Sequence, residues 1–450
     1  MNAAIHDHLH APNKFAVIPT NVRLNADPDY SGEGVTIAFL DSGFYPHPDL
    51  VKRRNRILFY KDITGERVAL NTTDPTESWQ WHGTQTSVVA AGNGYLSEGV
   101  YKGLAHEAQL VLVKVSENGR ITEENIALGI QWVIENRERF KIRVLNISLG
   151  GDEDVPCTRS IIDQAAEEAI KNGIVVVAAA GNSGDRRSIP PANSPSVITV
   201  GGYHDNNQLD GNNLDLYHSN FGATADGTVK PELVAPAMWV AAPILPGTNL
   251  YDQAEALSQL AAAPHVEDEL RELKIVATHY QHVDGTSFAA PIVTSIVAQM
   301  LEANPELTPG AIKNILISTA DRIAKAPAIR QGFGVVNARR AVQLAKKERH
   351  ALNTVGCSPP RVQNGNLVFV YHDDEAQNVS LAGDFNGWNT TLHPLIKDTT
   401  GLWLCNFKTP GPGRYEYKFV VDDKRWIEDP SNGMRVSDGF GGLNSVLVIQ

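Results

Sequence analysis

Val35-Thr36-Ile37-Ala38-Phe39-Leu40-Asp41-Ser42-Gly43 is a run of apolar and β-branched residues that ends on a carboxylate and a turn. With no polar alternation, residues 35–40 read as a strand buried on both faces, and Ser42-Gly43 breaks it. Outward from this run, stretches of the same kind recur at Leu110 to Val115, Arg143 to Leu149, Ile174 to Ala180 and Ser196 to Val200. Between them, Thr122 can cap a helix that carries Ile126, Ile130, Val133 and Ile134 on one face, and Ser160 to Lys171 reads as a second helix. Strand, helix, strand repetition with connections of this length predicts an α/β domain, a mostly parallel sheet sandwiched by helices. Asp41 then lies at the C-terminal edge of that sheet, where open α/β sheets carry their sites.

Helical patterning returns from Ile292 to Glu302, after Thr308-Pro309, and from Asn337 to Lys347. The character then changes. Residues 349–364, with Gly356, Pro359 and Pro360, read as a linker, and residues 365–450 as short strands separated by Gly, Asn and Pro turns. Tyr415, Tyr417, Phe419 and Val421 repeat with the two-residue period of a strand that has one face in a core. The expected organisation is an α/β domain over 1–348, then the linker, then a small all-β immunoglobulin-like sandwich. One stretch fits neither pattern: 251–275 is Ala, Leu and Glu rich with helical spacing, either a surface helical hairpin or a lid.

Composition narrows the function classes. A chain of 450 residues with 42% hydrophobic and 20% charged residues is ordinary for a soluble protein of more than one domain. The formal net charge of -12, without clustered Lys and Arg, argues against a nucleic-acid partner. No apolar stretch is long enough to span a membrane, and the start Met1-Asn2-Ala3-Ala4-Ile5 lacks the pattern of a secretory signal. Cys157, Cys357 and Cys405 are odd in number and widely spaced, which fits reduced thiols and a cytoplasmic location. The alternating His6, His8 and His10 read as a flexible tail.

Three residue types needed for nucleophilic catalysis occur in the order Asp41, His82, Ser287. A serine hydroxyl is a poor nucleophile until a base takes its proton, and imidazole does so best when a carboxylate fixes its tautomer and stabilises the imidazolium. His82-Gly83-Thr84 and Gly285-Thr286-Ser287-Phe288-Ala289-Ala290-Pro291 each precede an apolar helical run, which sets both groups at helix N-termini. The order Asp, His, Ser is one of several chain orders that build the same triad on unrelated folds.

These motifs, with His47-Pro48-Asp49-Leu50, Val144 to Gly150, Ala178-Ala179-Ala180-Gly181-Asn182, Pro195 to Gly201, Lys230 to Pro236 and Gly332 to Ala338, resemble the subtilisin (subtilase) family of serine endopeptidases over roughly 15–345. The resemblance implies Ser287 as nucleophile, His82 as base, Asp41 as its orienting carboxylate and Asn182 as the oxyanion-hole side chain. It implies that Ser148-Leu149-Gly150 pairs with substrate backbone, and that Ala179, Ala180 and Gly181 wall the pocket for the residue before the scissile bond. No cofactor is required for the chemistry. A structural calcium is implied by a loop that survives in altered form, Gly92 to Glu98, with Asp49 as a candidate ligand.

The sequence departs from the family in three places. Gln85-Thr86-Ser87-Val88 stands where His-Val-Ala-Gly is usual, which is expected to alter the helix surface and leave the base intact. Arg186 to Pro191 lacks the glycine of the pocket floor, so specificity is not readable. Forty residues precede Asp41, too few for a folded prosegment, and an intracellular enzyme controlled by other means is the expectation.

Val379 to Trp388, Arg414 to Asp422, Trp426, Asp429-Pro430 and Asn444 resemble the glycogen-binding module of the AMP-activated protein kinase β subunit and of glycogen-branching enzymes. The resemblance implies that Trp388, Lys418, Trp426 and Asn444 bind glycogen or another α-1,4-glucan, the indoles by stacking on sugar rings. Otherwise either Trp is a core residue of a purely structural sandwich. The expected function is a peptidase tethered to glucan and acting on proteins or peptides. The rival is a glucan-anchored scaffold whose protease domain is gated or silent.

Overall fold

A computed structural model describes residues 17–65, 70–71, 76–152, 155–209, 213–260, 266–347, 360–363, 365–373, 375–397, 402–432, 435–440 and 442–449. The N-terminal histidines, Cys357 and most of the expected linker lie outside these residues.

In chain order the first domain contains β1 (Thr36–Asp41), β2 (Ile57–Asp62), α1 (Gln80–Ala91), β3 (Gln109–Lys114), α2 (Glu123–Phe140), β4 (Ile142–Ile147), α3 (Ile161–Lys171), β5 (Val175–Ala179), β6 (Ile198–His204) and β7 (Leu233–Pro236). The strands form one parallel sheet in the order β7-β6-β5-β4-β1-β3-β2. Every residue of β1 is buried, as its unbroken apolar sequence requires. Its side chains divide by parity: Ile37 and Phe39 join the core that holds Val88 and Val89 of α1, while Ala38 and Leu40 join the core of Ile126, Ile130 and Val133 from α2 and Ile162 and Ala166 from α3. The helices open as expected. Thr122 Oγ1 accepts from Asn125 N at 3.2 Å, and the Ser160 hydroxyl accepts from Asp163 N at 3.0 Å.

After β7 come β8 (Val240–Pro243), α4 (Asn249–Gln259), α5 (Val266–Glu272), β9 (Ile275–Ala277), β10 (Tyr280–Val283), α6 (Thr286–Ala303), α7 (Pro309–Thr319) and α8 (Ala338–Lys347). The expected insertion is a helical pair, and it closes a small antiparallel sheet, β8-β10-β9, that the sequence reading did not contain. Ile244, Ala254, Leu257, Val266 and Ile275 give this unit a core of its own. Buried Glu232 ties α7 to β6 and β7: it accepts from Lys230 and from Lys313, each at 2.7 Å, and from Thr199 N at 2.8 Å.

The C-terminal domain contains β11 (Arg361–Gln363), β12 (Asn366–His372), β13 (Val379–Gly383), β14 (Ile396–Lys397), β15 (Leu402–Lys408), β16 (Gly413–Val421), β17 (Arg425–Ile427), β18 (Arg435–Ser437) and β19 (Leu443–Ile449). Two antiparallel sheets, β11-β12-β15-β14 and β13-β16-β19-β18, enclose Phe369, Leu381, Trp403, Tyr417 and Phe419, and β17 pairs with β16. This is the expected β-sandwich.

Candidate active site

The C-terminal ends of neighbouring strands β1, β4 and β5 carry the site. Asp41 is the last residue of β1 and is buried. His82 lies in the first turn of α1, and its Nδ1 meets Asp41 Oδ1 at 2.7 Å. This contact requires a close approach of α1 to β1. A Cβ on Gly83 would fall 2.2 Å from Gly43 O and 2.9 Å from Asp41 Cβ, so only glycine fits there. Asp41 Oδ1 also accepts from Ser42 N at 2.7 Å, and Oδ2 accepts from Thr86 Oγ1 at 3.0 Å. Burial lowers the affinity of His82 for a proton, but the charge and hydrogen bond of Asp41 outweigh it and leave its pKa above the usual 6.5. The ring sits between Trp81, edge-on at 5.1 Å and 47% exposed, and Phe288, at 6.0 Å between ring centroids.

Ser287 is the second residue of α6. Gly285, at φ +139, turns the chain into this helix in a conformation that favours glycine. Pro291 leaves the carbonyl of Ser287 without its intrahelical donor, and Ser148 Oγ supplies one at 3.0 Å. Ser148 is held in turn by Asn146 Nδ2 at 3.1 Å, and Asn146 Oδ1 accepts from Thr294 Oγ1 of α6 at 2.9 Å. The Ser287 hydroxyl itself donates to the Ser148 carbonyl at 3.2 Å. Catalytic hydrogen bonds in substrate-free enzymes are commonly unmade or long and tighten on binding.

Asn182 follows β5 and is exposed. Its Oδ1 accepts from Thr286 N at 2.8 Å and Thr286 Oγ1 at 3.0 Å, while Thr286 Oγ1 accepts from Gly181 N at 3.1 Å. With its oxygen engaged twice, the amide keeps its N–H groups for a ligand beside the first turn of α6, where main-chain donors lack intrahelical partners. Ser148 is buried, while Leu149, Gly150, Ala179 and Gly181 are half-buried and Ala180 is buried. Where the pocket-floor glycine was missed, Gly151 N donates to Pro190 O at 2.9 Å, and Ile189 Cδ1 lies 3.5 Å from the position of a Cβ on Gly150.

The expectation that Gln85, Thr86 and Ser87 alter the helix surface is corrected: all three are buried. Thr86, four residues after His82, lies on the same helical face and reaches the same carboxylate. That spacing was readable in the sequence, as was the position of Thr286 beside Ser287.

The implied calcium loop is held in another way. Asp49 is buried, its Oδ1 accepts from Leu96 N at 3.1 Å, and its Oδ2 accepts from the Tyr280 hydroxyl of β10 at 2.6 Å. Burial first, and then Asp49 itself, push the Tyr280 pKa far above its usual value, so that hydroxyl stays protonated. Gly94 O accepts from Ser97 N and Gly99 N, and Asn93 Oδ1 accepts from Tyr95 N at 3.0 Å. Each Asp49 oxygen thus already takes a proton donor and the Gly94 carbonyl is turned into the loop, which leaves these residues short of the six or more oxygens that calcium takes, and they do not fit the ion. No group of three His, Cys, Asp or Glu among the described residues is arranged to hold a metal.

In the sandwich, Trp388 and Trp426 come together with ring centroids 6.4 Å apart, and Trp426 is 47% exposed. The buried tryptophan of this domain is Trp403, whose Nε1 donates to Asp373 O at 3.1 Å. Lys418 alternates with Tyr417 and Phe419 along β16, but is only 9% exposed and pairs with Asp438 at 2.6 Å. Asn444 Nδ2 donates to Glu416 Oε2 at 2.9 Å.

Residues 32–336 match the subtilase family, peptidase S8, and residues 354–432 match carbohydrate-binding module 48, the isoamylase N-terminal domain. The chain is 34% identical over 326 residues to the serine protease AprX of Bacillus subtilis (strain 168), which covers 69% of this chain and 67% of AprX. It is 30% identical over 315 residues to subtilisin BL of Lederbergia lenta, covering 70% of this chain and 92% of that protein. Among solved structures, fervidolysin from Fervidobacterium pennivorans, a keratinolytic enzyme related to subtilisin, aligns with a TM-score of 0.56 at 20% identity, over 89% of this chain and 55% of fervidolysin. A protease of Pseudoalteromonas arctica PAMC 21717 aligns with a TM-score of 0.52 at 25% identity, over 76% of this chain and 97% of that one.

Proposed function

The chain belongs to the subtilase family and is a serine endopeptidase with a carbohydrate-binding module, and on that premise we propose that Asp41, His82 and Ser287 act as its triad while the module tethers it to glycogen or a similar α-1,4-glucan in the cytoplasm. The observation that carries the reading is the 2.7 Å contact of His82 with Asp41, at the same sheet edge where Ser148 pins Ser287. An extended peptide lies along Ser148 to Gly150. Ser287 Oγ attacks the scissile carbonyl carbon as His82 Nε2 takes the hydroxyl proton, and Asp41 stabilises the imidazolium. The oxyanion is met by Asn182 Nδ2 and by the Ser287 N–H. His82 then gives its proton to the leaving amine, and water attacks the acyl-enzyme by the same route in reverse.

The glucan half is supported by the paired Trp388 and Trp426 rings, Trp426 open to solvent, with Lys418 and Asn444 on neighbouring strands. The cytoplasmic half is supported by the free thiols of Cys157 and Cys405. The Ser287 hydroxyl resting on Ser148 O favours a second reading, a scaffold whose protease domain stays silent until gated. Casein hydrolysis by the purified chain separates the two. Ser287→Ala is expected to abolish both casein hydrolysis and labelling by a fluorophosphonate with the fold intact, and unchanged labelling of that variant refutes the assignment.

A further inference from the structure

Asp41 has two carboxylate oxygens and only one faces His82. Oδ1 accepts from His82 Nδ1 and Ser42 N, both at 2.7 Å. Oδ2 accepts from Thr86 Oγ1 at 3.0 Å, its sole donor among the described residues. We propose that Thr86 is a positioning residue for the reaction, whose buried hydroxyl holds the far oxygen of Asp41 and thereby fixes the carboxylate against His82.

Three observations carry this. Thr86 stands where the family motif has an apolar valine, so the hydroxyl is a feature of this chain and not of the common motif. Thr86 and His82 are four residues apart on α1, so one helical face grips both ends of one carboxylate. Both Thr86 and Asp41 are buried, so water is kept from replacing a lost donor. The hydroxyl also lies 3.2 Å from Gly83 O, but it has a single proton, and the shorter, charge-assisted bond to Asp41 takes it. On a helix a Thr divides between two χ1 rotamers, and the one adopted here brings Oγ1 within reach of both Gly83 O and Asp41 Oδ2.

The hydrogen bond has two effects. It stops the carboxylate turning about its Cβ–Cγ bond, and it draws charge toward Oδ2, away from the imidazolium that forms in the reaction. Among the described residues the charge acting on His82 is that of Asp41, and its other close neighbours are the Trp81 and Phe288 rings.

This role rests on the proteolytic reading of the same site, and its test separates the two. In the full chain, Thr86→Val keeps the side-chain shape and restores the usual family residue but leaves a buried Asp41 oxygen without its donor, so kinetics are read well below the variant's own melting temperature, measured alongside. The substitution is expected to lower kcat about three- to tenfold with KM unchanged. The far-downfield proton NMR signal of the His82 Nδ1 hydrogen, which needs no turnover, is expected to titrate at a higher midpoint in the variant. Thr86→Ser, which keeps the hydroxyl, is expected to return both values toward the wild type. An unmoved NMR midpoint, or a serine variant no better than the valine one, overturns the role. Absence of turnover in the wild type instead refutes proteolysis and leaves the NMR comparison to decide Thr86.

Discussion

His82 is half-buried, which favours its neutral form, yet Asp41 at 2.7 Å favours the charged one and prevails. The proposed mechanism needs the neutral imidazole as base, so kcat/KM is expected to fall as pH is lowered through a midpoint above 6.5, the ordinary value. A pH–rate profile with its acid limb at or below 6.5 contradicts this coupling. Asn182→Ala removes the oxyanion donor and, with Oδ1, the two hydrogen bonds that the side chain accepts from Thr286 in the first turn of α6. The expected loss is about 10²–10³ in kcat with little change in KM, a size already known for this side chain in subtilisin. Steady-state kinetics on a peptide substrate check it. These residues were legible in sequence because each sits in a run whose neighbours have strict steric duties, as Gly83 and Gly285 do. The contact of Thr86 escaped notice because it depends on helix phase, and the ion pair that covers the Lys418 ammonium was not readable because Asp438 lies twenty residues on.

The parallel sheet was readable because strands buried on both faces leave unbroken apolar runs, as β1 and β5 do. The sheet β8-β10-β9 was not readable. Its strands are three or four residues long, share no common burial period and are split by α4 and α5, so neither period nor length marks them. It nevertheless bears on the first part of the domain, because Tyr280 of β10 crosses to Asp49 and closes the loop at 92–99. Removing that hydroxyl by Tyr280→Phe leaves a buried carboxylate oxygen without its donor, at about 1–3 kcal/mol. The melting temperature is expected to drop by several degrees. A chelator, by contrast, is expected to leave the wild-type melting temperature unchanged, because the loop is already closed by its own hydrogen bonds. Calorimetry with and without EDTA checks both arms, and a large chelator effect would show that an ion does hold this region.

Joining a peptidase to a glucan-binding sandwich changes where cleavage occurs more than how fast each bond is cut. A protease held on a polymer meets other proteins on that polymer at the effective concentration its tether allows, which for short flexible linkers is on the order of millimolar. The two activities are therefore expected to be separable by mutation. Trp426 is exposed and its ring is absent from the sandwich core, so Trp426→Ala is expected to leave the domain folded. Loss of a stacking indole costs about 2 kcal/mol, roughly a thirtyfold weaker Kd for glucan. The variant is then expected to remain in the supernatant when glycogen is sedimented, while it hydrolyses a small soluble peptide at the wild-type rate and loses its advantage only on glycogen-bound protein. If it still sediments, the sandwich holds glucan by another face or serves a different ligand. If peptide hydrolysis falls as well, the two domains are coupled in catalysis and tethering alone is too simple an account.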